Sequence, residues 1–469
     1  MFQKIDARMI TALRQLVDPK DVLVGSEAME PYTHDEVAGL RADPEVVVRV
    51  TSAVQVANVL KLAQRERVPV TPRGAGTGLS GGAVPVCGGI VLSLEKMNHI
   101  LEIDKENLMV TVEPGVITGD LHRAVEAEGL FYPPDPASLD SCSIGGNIAE
   151  CSGGPRAVKY GVTKDYVCSL EAVFPSGRIV TCGRKLVKDV TGYNLVQLLT
   201  GSEGTLAVVT KITLRLLPLP QHRVDLLAPY DDFQAAADTV SDIIAHRILP
   251  TTIEFMERDA VLASEQLLKT KVPHDDAQAH LLIQLDGNHP AAIDAELESV
   301  GQICLAHGAR EVIVAADRAT RDRLWQARRK IIDALKYISP INHMEDVVVP
   351  RAQIPALLKG IKEIAQRHDV RIICFGHAGD GNVHVNILKD DLSIERWQSL
   401  VPIVLDEAIY GLTLSLGGMI TGEHGIGVTR RRYLPMAMDE EQIEVMRGIK
   451  NAFDPNGILN PGKIFPGAE

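Results

Sequence analysis

Five glycines fall within nine residues in Pro72-Arg73-Gly74-Ala75-Gly76-Thr77-Gly78-Leu79-Ser80-Gly81-Gly82, directly after the β-rich segment VPVT. Glycine carries no Cβ, so such a loop can take positive φ and turn successive N–H groups towards one point. The result is a nest for an anion, to which Thr77 and Ser80 add hydroxyl donors. A pyrophosphate needs this chemistry. The spacing is neither G-x-G-x-x-G opening a long helix nor G-x-x-x-x-G-K-[ST]. Taken alone, the run is equally a flexible surface loop.

Two further clusters change that balance. Pro133-Pro134-Asp135-Pro136 stiffens the chain ahead of Ser141-Cys142-Ser143-Ile144-Gly145-Gly146-Asn147-Ile148-Ala149-Glu150 and Ser152-Gly153-Gly154. Gly201-Ser202-Glu203-Gly204-Thr205-Leu206 follows. Three such loops imply a long ligand lying across one domain, with backbone in close approach to it.

The 469 residues suggest two to three domains at roughly 150 residues each. The net charge of −13 argues against nucleic acid as the main partner, because phosphate binding needs a basic face. The seven cysteines include no C-x-x-C pair, which disfavours an iron–sulfur cluster or a cysteine zinc site. Their odd number fits reduced thiols in the cytosol. The N-terminus reads as an amphipathic helix and not a signal peptide. No apolar run approaches the ~18 residues of a membrane span. A cytoplasmic location is expected, peripheral to the membrane only through a partner.

Residues 1–40 read as a helical lead-in. From there PEVVVRV, VPVTPRG, GGIVLSL and LMVTVEP read as strands, and SAVQVANVLKLAQRER as a helix opened by a Thr/Ser pair. SLEAVFPSGRIV reads as a hairpin turning at Pro175-Ser176-Gly177. The proline-rich end of LAVVTKITLRLLPLP marks a boundary, giving one domain over 41–220. Residues 221–410 alternate helices with strands such as AHLLIQLDG and VRIICFGH. They suggest an α+β domain with helices on one face of an antiparallel sheet. Residues 411–469 form a C-terminal segment.

His377 and His384 flank the turn-forming Gly379-Asp380-Gly381-Asn382. Seven positions apart, they would face opposite ways on one straight strand; a turn brings them back together. A structural pair and a metal-binding pair are equally consistent with this pattern. In Gly422-Glu423-His424-Gly425, Glu423 is a carboxylate that would complete a His/His/carboxylate set with open positions. His424 would then point elsewhere, as suits a base. Arg328, in Trp325-Gln326-Ala327-Arg328-Arg329-Lys330, offers a guanidinium fork.

PRGAGTGLSGG, CSIGGN, KYGVT, GSEGTL, GHAGDGNVH, GEHGIG and NPGK occur here in one order. In these motifs the chain, from about residue 40 onward, resembles the FAD-linked D-lactate dehydrogenase and glycolate oxidase FAD-subunit family of the vanillyl-alcohol oxidase/PCMH superfamily. The resemblance implies a PCMH-type FAD-binding domain, a ferredoxin-like antiparallel-sheet cap and a C-terminal segment returning to the FAD domain.

It places FAD against Pro72, Arg73, Gly74, Ala75, Gly76, Thr77, Gly78, Ser80 and Gly81. Further contacts are expected from Pro134, Asp135, Ser138, Cys142, Ser143, Gly145, Gly146, Asn147, Ala149, Glu150, Gly153, Gly154, Tyr160 and Gly161. Glu203, Gly204, Val208, Asn460 and Lys463 complete the set. Some relatives attach FAD through a histidine of the first loop; Thr77 stands at about that place, which implies non-covalent FAD. The resemblance makes His377, His384 and Glu423 ligands of a divalent metal (zinc, iron(II) or manganese), His424 the catalytic base and Arg328 the grip on a substrate carboxylate.

Relatives acting on D-2-hydroxyglutarate carry a threonine and a lysine where Ile332 and Met344 stand. The expected substrate is therefore a short D-2-hydroxy acid, D-lactate or glycolate. His343 is a further polar residue with no assigned role. Electrons would leave to a quinone, a cytochrome, an iron–sulfur subunit or an electron-transfer flavoprotein. The competing readings are a D-2-hydroxyglutarate dehydrogenase, a flavin-bearing electron relay within a larger complex, and a metal-dependent hydrolase.

Overall fold

The computed structural model describes residues 2–467 except Ala316. The chain divides into two compact units: Met1–Gly153, Val162–Leu219 and Glu423–Glu469 form the first, Gly154–Gly161 and Pro220–Gly422 the second.

In the first unit Val46–Arg49 and Val70–Arg73 each pair in parallel with Ile90–Ser93. Parallel neighbours need a crossover, and helix Ala53–Glu66 connects the two flanking strands. Ser52 caps it by accepting from Gln55 N, and Arg67 ends it in the left-handed region (φ 54°). Val56, Val59, Leu60 and Ala63 pack into one core with Val46, Val48, Val70, Ile90 and Leu92. Strands covered on both faces read as unbroken apolar runs, as VVV and IVL do here.

The N-terminal residues do more than lead in. Helix Ala7–Leu16 buries Met9 and Leu13 in the same core, because their four-residue spacing puts both on one helical face. Val22–Leu23 then adds an antiparallel edge strand to Val46–Arg49.

A second sheet in this unit is antiparallel, in the order Ile100–Asp104, Met109–Val112, Val208–Arg215, Val167–Val173, Ile179–Gly183. The expected hairpin is present: Val173 pairs with Ile179, and Gly177 supplies the positive φ of its turn. After helix Glu440–Phe453 the tail returns to the strand that feeds the first glycine loop. Val70 N donates to Ile458 O (2.8 Å), and Asn460 N donates to Val70 O (2.7 Å).

The second unit is built on a seven-stranded antiparallel sheet. Its order is Ile313–Val314, His222–Tyr230, Ala279–Gly287, Thr252–Glu257, Arg371–His377, Asn382–Leu388, Asn342–Val348. Helices cover both faces, not the one face expected. On one, Leu227, Met256, Leu282 and Phe375 pack against helices Arg258–Leu268, Arg318–Arg329 and Ile331–Ile338. On the other, Phe255 meets Phe233 of helix Phe233–Ala245, and Lys362 of helix Ile354–His368 reaches Glu257. The central strands Thr252–Glu257 and Ala279–Gly287 are buried at odd and even positions alike, the even face carrying polar side chains that helices nevertheless cover.

Among the described residues no helix is long and apolar enough to cross a membrane. All seven cysteines are free thiols.

Candidate active site

In the first unit the three glycine loops pack together, the third bonded to the second by Gly201 N donating to Ile148 O (2.8 Å) and Glu203 N to Ala149 O (2.8 Å). A Cβ on Gly74 would collide with Ser143 Oγ of the second loop, and one on Gly145 would come within 2.6 Å of Pro114. Gly76 and Gly81 take φ of 77° and 82°, so the turns of the first loop need glycine there. Ser143 caps helix Ile144–Glu150 by accepting from Gly146 N (3.3 Å). Asn147 Nδ2 donates to Thr118 Oγ1 (2.7 Å), which also receives the Cys142 thiol (3.3 Å). Ser80 Oγ is buried without a hydrogen-bond partner. This is a cradle of small residues.

Several expected contact residues serve the cradle by bracing it. Arg73 spends its guanidinium on His34 O (2.8 Å) and Pro31 O (2.9 Å). Asn460 Nδ2 donates to Gly82 O (3.1 Å) and Glu203 O (2.8 Å), joining the first and third loops to the tail. Lys463 Nζ donates to Val84 O (2.5 Å), and burial pushes its pKa down to about 8. Val208 lies in the apolar core. Gly154, Tyr160 and Gly161 belong to the second unit, where the Tyr160 hydroxyl donates to Asp286 (2.9 Å).

The segment Glu423–Gly427 packs into the same unit. Ile426 N and Gly427 N donate to the Glu203 carboxylate (2.8 and 2.6 Å). A Cβ on Gly425 would strike Glu150 Oε2, and one on Gly427 would strike Ser80 O. Glu423 Oε1 stands 3.9 Å from His424 Nε2, and His424 is buried. Burial and the neighbouring Glu203 raise the Glu150 carboxyl well above its usual value near 4.5, and burial raises Glu203 against the pull of its two N–H donors.

A carboxyl raised on folding binds more protons folded than unfolded, so stability falls as pH rises above about 4.5. Glu150→Gln mimics the protonated form. We expect its melting temperature, measured without added cofactor, to match wild type near pH 4.5 and to exceed it increasingly towards pH 8. Equal melting curves across that range would contradict the assignment.

In the second unit the register puts a polar row across one sheet face. Asp225 pairs with Gln284, Gln284 with Thr252, Glu254 with His377, Phe375 with His384, and His384 with Asp346. Alternation along each strand keeps these side chains on that face. The turn after His377 folds the next strand back, with Gly381 at φ 92°. The His377 and His384 rings therefore meet edge to face at 5.3 Å.

Glu254 joins the row at its centre. Its Oε1 lies 2.8 Å from His377 Nδ1 and its Oε2 2.6 Å from Arg328 Nη2. Burial opposes the charge, yet Arg328 and His377 outweigh it and hold Glu254 below the usual carboxylate range. The Arg328 guanidinium also stacks over Phe375 at 4.9 Å, and its buried Nε has no hydrogen-bond partner. Asp346 Oδ1 is 3.8 Å from His384 Nδ1, and its Oδ2 accepts from Gly422 N (2.9 Å), the residue before Glu423.

The sequence reading passed over Glu254 and Asp346. Glu254 stands between Ile253 and Phe255, and Asp346 directly precedes Val347 and Val348; an acid beside such strand-forming apolar residues is the signal that could have exposed them. His343 is bonded to Glu345 (2.7 Å).

Residues 44–183 match the FAD binding domain, and residues 219–464 match the C-terminal domain of FAD linked oxidases. The chain is 44% identical to the glycolate oxidase subunit GlcD of Bacillus subtilis over 92% of each chain. It is 40% identical to the D-lactate dehydrogenase of Anaerostipes hadrus, covering 99% of this chain and 98% of that one. A crystal structure of p-cresol methylhydroxylase shares the PCMH-type fold with a TM-score of 0.79 at 18% identity, covering 97% of this chain and 96% of the other. The chain belongs to the family of FAD-linked oxidoreductases that contains the D-lactate dehydrogenases and glycolate oxidase FAD subunits.

Proposed function

We propose that the protein oxidises a short D-2-hydroxy acid, D-lactate or glycolate, to the 2-oxo acid. The observation that carries this reading is the buried Glu254, which fixes Arg328 and His377 on one sheet face. The names of the two relatives support the substrate class.

Arg328 grips the carboxylate, using the fork edge that Glu254 leaves open. His424 takes the proton of the 2-hydroxyl. Non-covalent FAD, held by the three glycine loops, supplies the acceptor for the two electrons and hydrogen leaving C2. What supports this is the cradle itself: glycines bring the loops together, and the small Ser80 side chain is buried among them.

His377, His384 and Glu423 would hold a divalent cation, which when bound would supply Lewis-acid chemistry to lower the pKa of the 2-hydroxyl. What supports this reading is that the two imidazoles stand ring to ring, with Glu254 holding Nδ1 of His377. Electrons then pass to a separate acceptor, a quinone, cytochrome, iron–sulfur subunit or electron-transfer flavoprotein.

Met344 and Ile332, apolar where a longer diacid would need partners, favour the short acids. Steady-state assays with a dye acceptor should give kcat/KM for D-lactate or glycolate at least about tenfold above that for D-2-hydroxyglutarate. The reverse order would remove the short-acid reading. Gly74→Ala is expected to purify with most of its FAD missing, judged by the ratio of flavin to protein absorbance, because the new Cβ drives Ser143 out of the cradle. Full occupancy would contradict the placement of FAD.

A further inference from the structure

A groove of about 660 Å³ opens in the second unit at the ends of strands His222–Tyr230 and Ala279–Gly287. The first turns of helices Pro290–Ala306 and Arg318–Arg329 flank it. Arg223, Arg318 and Arg321 line it.

Of the described acids near these arginines, none makes an ion pair or hydrogen bond with Arg223. Asp286, directly across from Arg223 in the sheet, accepts from Lys159 (2.6 Å) and Tyr160 (2.9 Å). Asp225, two residues along the strand, accepts from Gln284 (2.6 Å) and Trp325 Nε1 (2.7 Å). Arg321 Nε remains 3.9 Å from Asp225. Asp322 faces Arg318 (3.4 Å), and Asp294 stands exposed on the rim.

Arg223 makes no hydrogen bond or ion pair among the described residues, and it is exposed at the groove mouth. Even there, the surrounding protein and the like charges of Arg156 and Arg321 hold its guanidinium below its ordinary value, against the pull of Asp225 and Asp286. Asp322 is beside Arg318 and Asp225 beside Arg321, so Arg223 is the guanidinium in the groove whose fork stands open to an anion.

We propose that this groove binds a small oxyanion with two or more negative charges, a phosphate ester or a polycarboxylate, gripped by Arg223 and Arg321. The site reports to the sheet face. Arg321 and Arg328 lie seven residues apart on one helix, two turns or about 10 Å. Between them Trp325 donates to Asp225, the acid that Arg321 faces. Anion binding thus tightens the helix that carries Arg328.

The test is isothermal titration calorimetry of the FAD-loaded protein with inorganic phosphate and, separately, citrate, at ionic strength fixed with sodium chloride. One of the two should bind at a single site, at least about tenfold more weakly to Arg223→Gln, with Arg223→Lys in between. Binding of phosphate alone assigns a phosphate ester; binding of citrate alone assigns a polycarboxylate. Heats no larger than the chloride control, or equal affinity in Arg223→Gln, overturn the site.

The link to Arg328 rests on its proposed substrate role and has its own readout. The bound anion should change the KM for D-lactate about twofold or more in wild type and leave it unchanged in Arg223→Gln. Anion binding with no change in KM refutes the link and leaves the site standing.

Discussion

Glu254→Ala is expected to cost about 3–5 kcal/mol of folding stability and to abolish turnover together. Glu254 is fully buried and holds two partners at once, the Arg328 guanidinium and the His377 ring. Removing it leaves Arg328 as a buried charge with nothing opposite, and that uncompensated charge dominates the loss. His377 also loses the bond that fixes its ring. Denaturant unfolding measures the first effect and a dye-coupled assay the second. Pairing Glu254→Gln with Arg328→Met removes both charges and should recover most of the stability without the activity. A double variant as unstable as Glu254→Ala would contradict this account of the pair.

His424→Ala should slow reduction of the flavin by substrate about 100-fold to 10,000-fold, the usual range for loss of a positioned base. FAD content and melting temperature should stay near wild type, because the neighbouring backbone, not the His424 side chain, bonds Glu203. Anaerobic stopped-flow absorbance separates the outcomes. Unchanged reduction rates would remove His424 as base. Slow reduction that recovers with rising pH in the variant would support the role, since hydroxide then replaces the lost base.

The parts of this protein that were legible in the sequence are those written in local chemistry. Glycine spacing marked the loops, because only glycine tolerates the positive φ and close approach seen at Gly76 and Gly81. Pro175-Ser176-Gly177 marked its hairpin for the same reason. The turn between His377 and His384 was legible too, and the register then brought the two rings together.

What stayed hidden depends on register between distant strands. Glu254 reads as an ordinary outward-facing acid of an alternating strand until Thr252–Glu257 is laid beside Arg371–His377. Asp346 acquires meaning only opposite His384. The expectation of helices on one sheet face failed because a face carrying Thr252, Glu254 and Gln284 reads as solvent-facing although these residues are buried. The N-terminal helix was legible as amphipathic, but its place in the core was not.

The account's central claim is that a short D-2-hydroxy acid reduces the bound FAD. Anaerobic titration of the purified FAD-loaded protein with D-lactate, glycolate, L-lactate and D-2-hydroxyglutarate tests it most directly. Loss of the visible flavin absorbance with D-lactate or glycolate, and little change with the other two, is the predicted result. An oxidised flavin after both D-lactate and glycolate would contradict it.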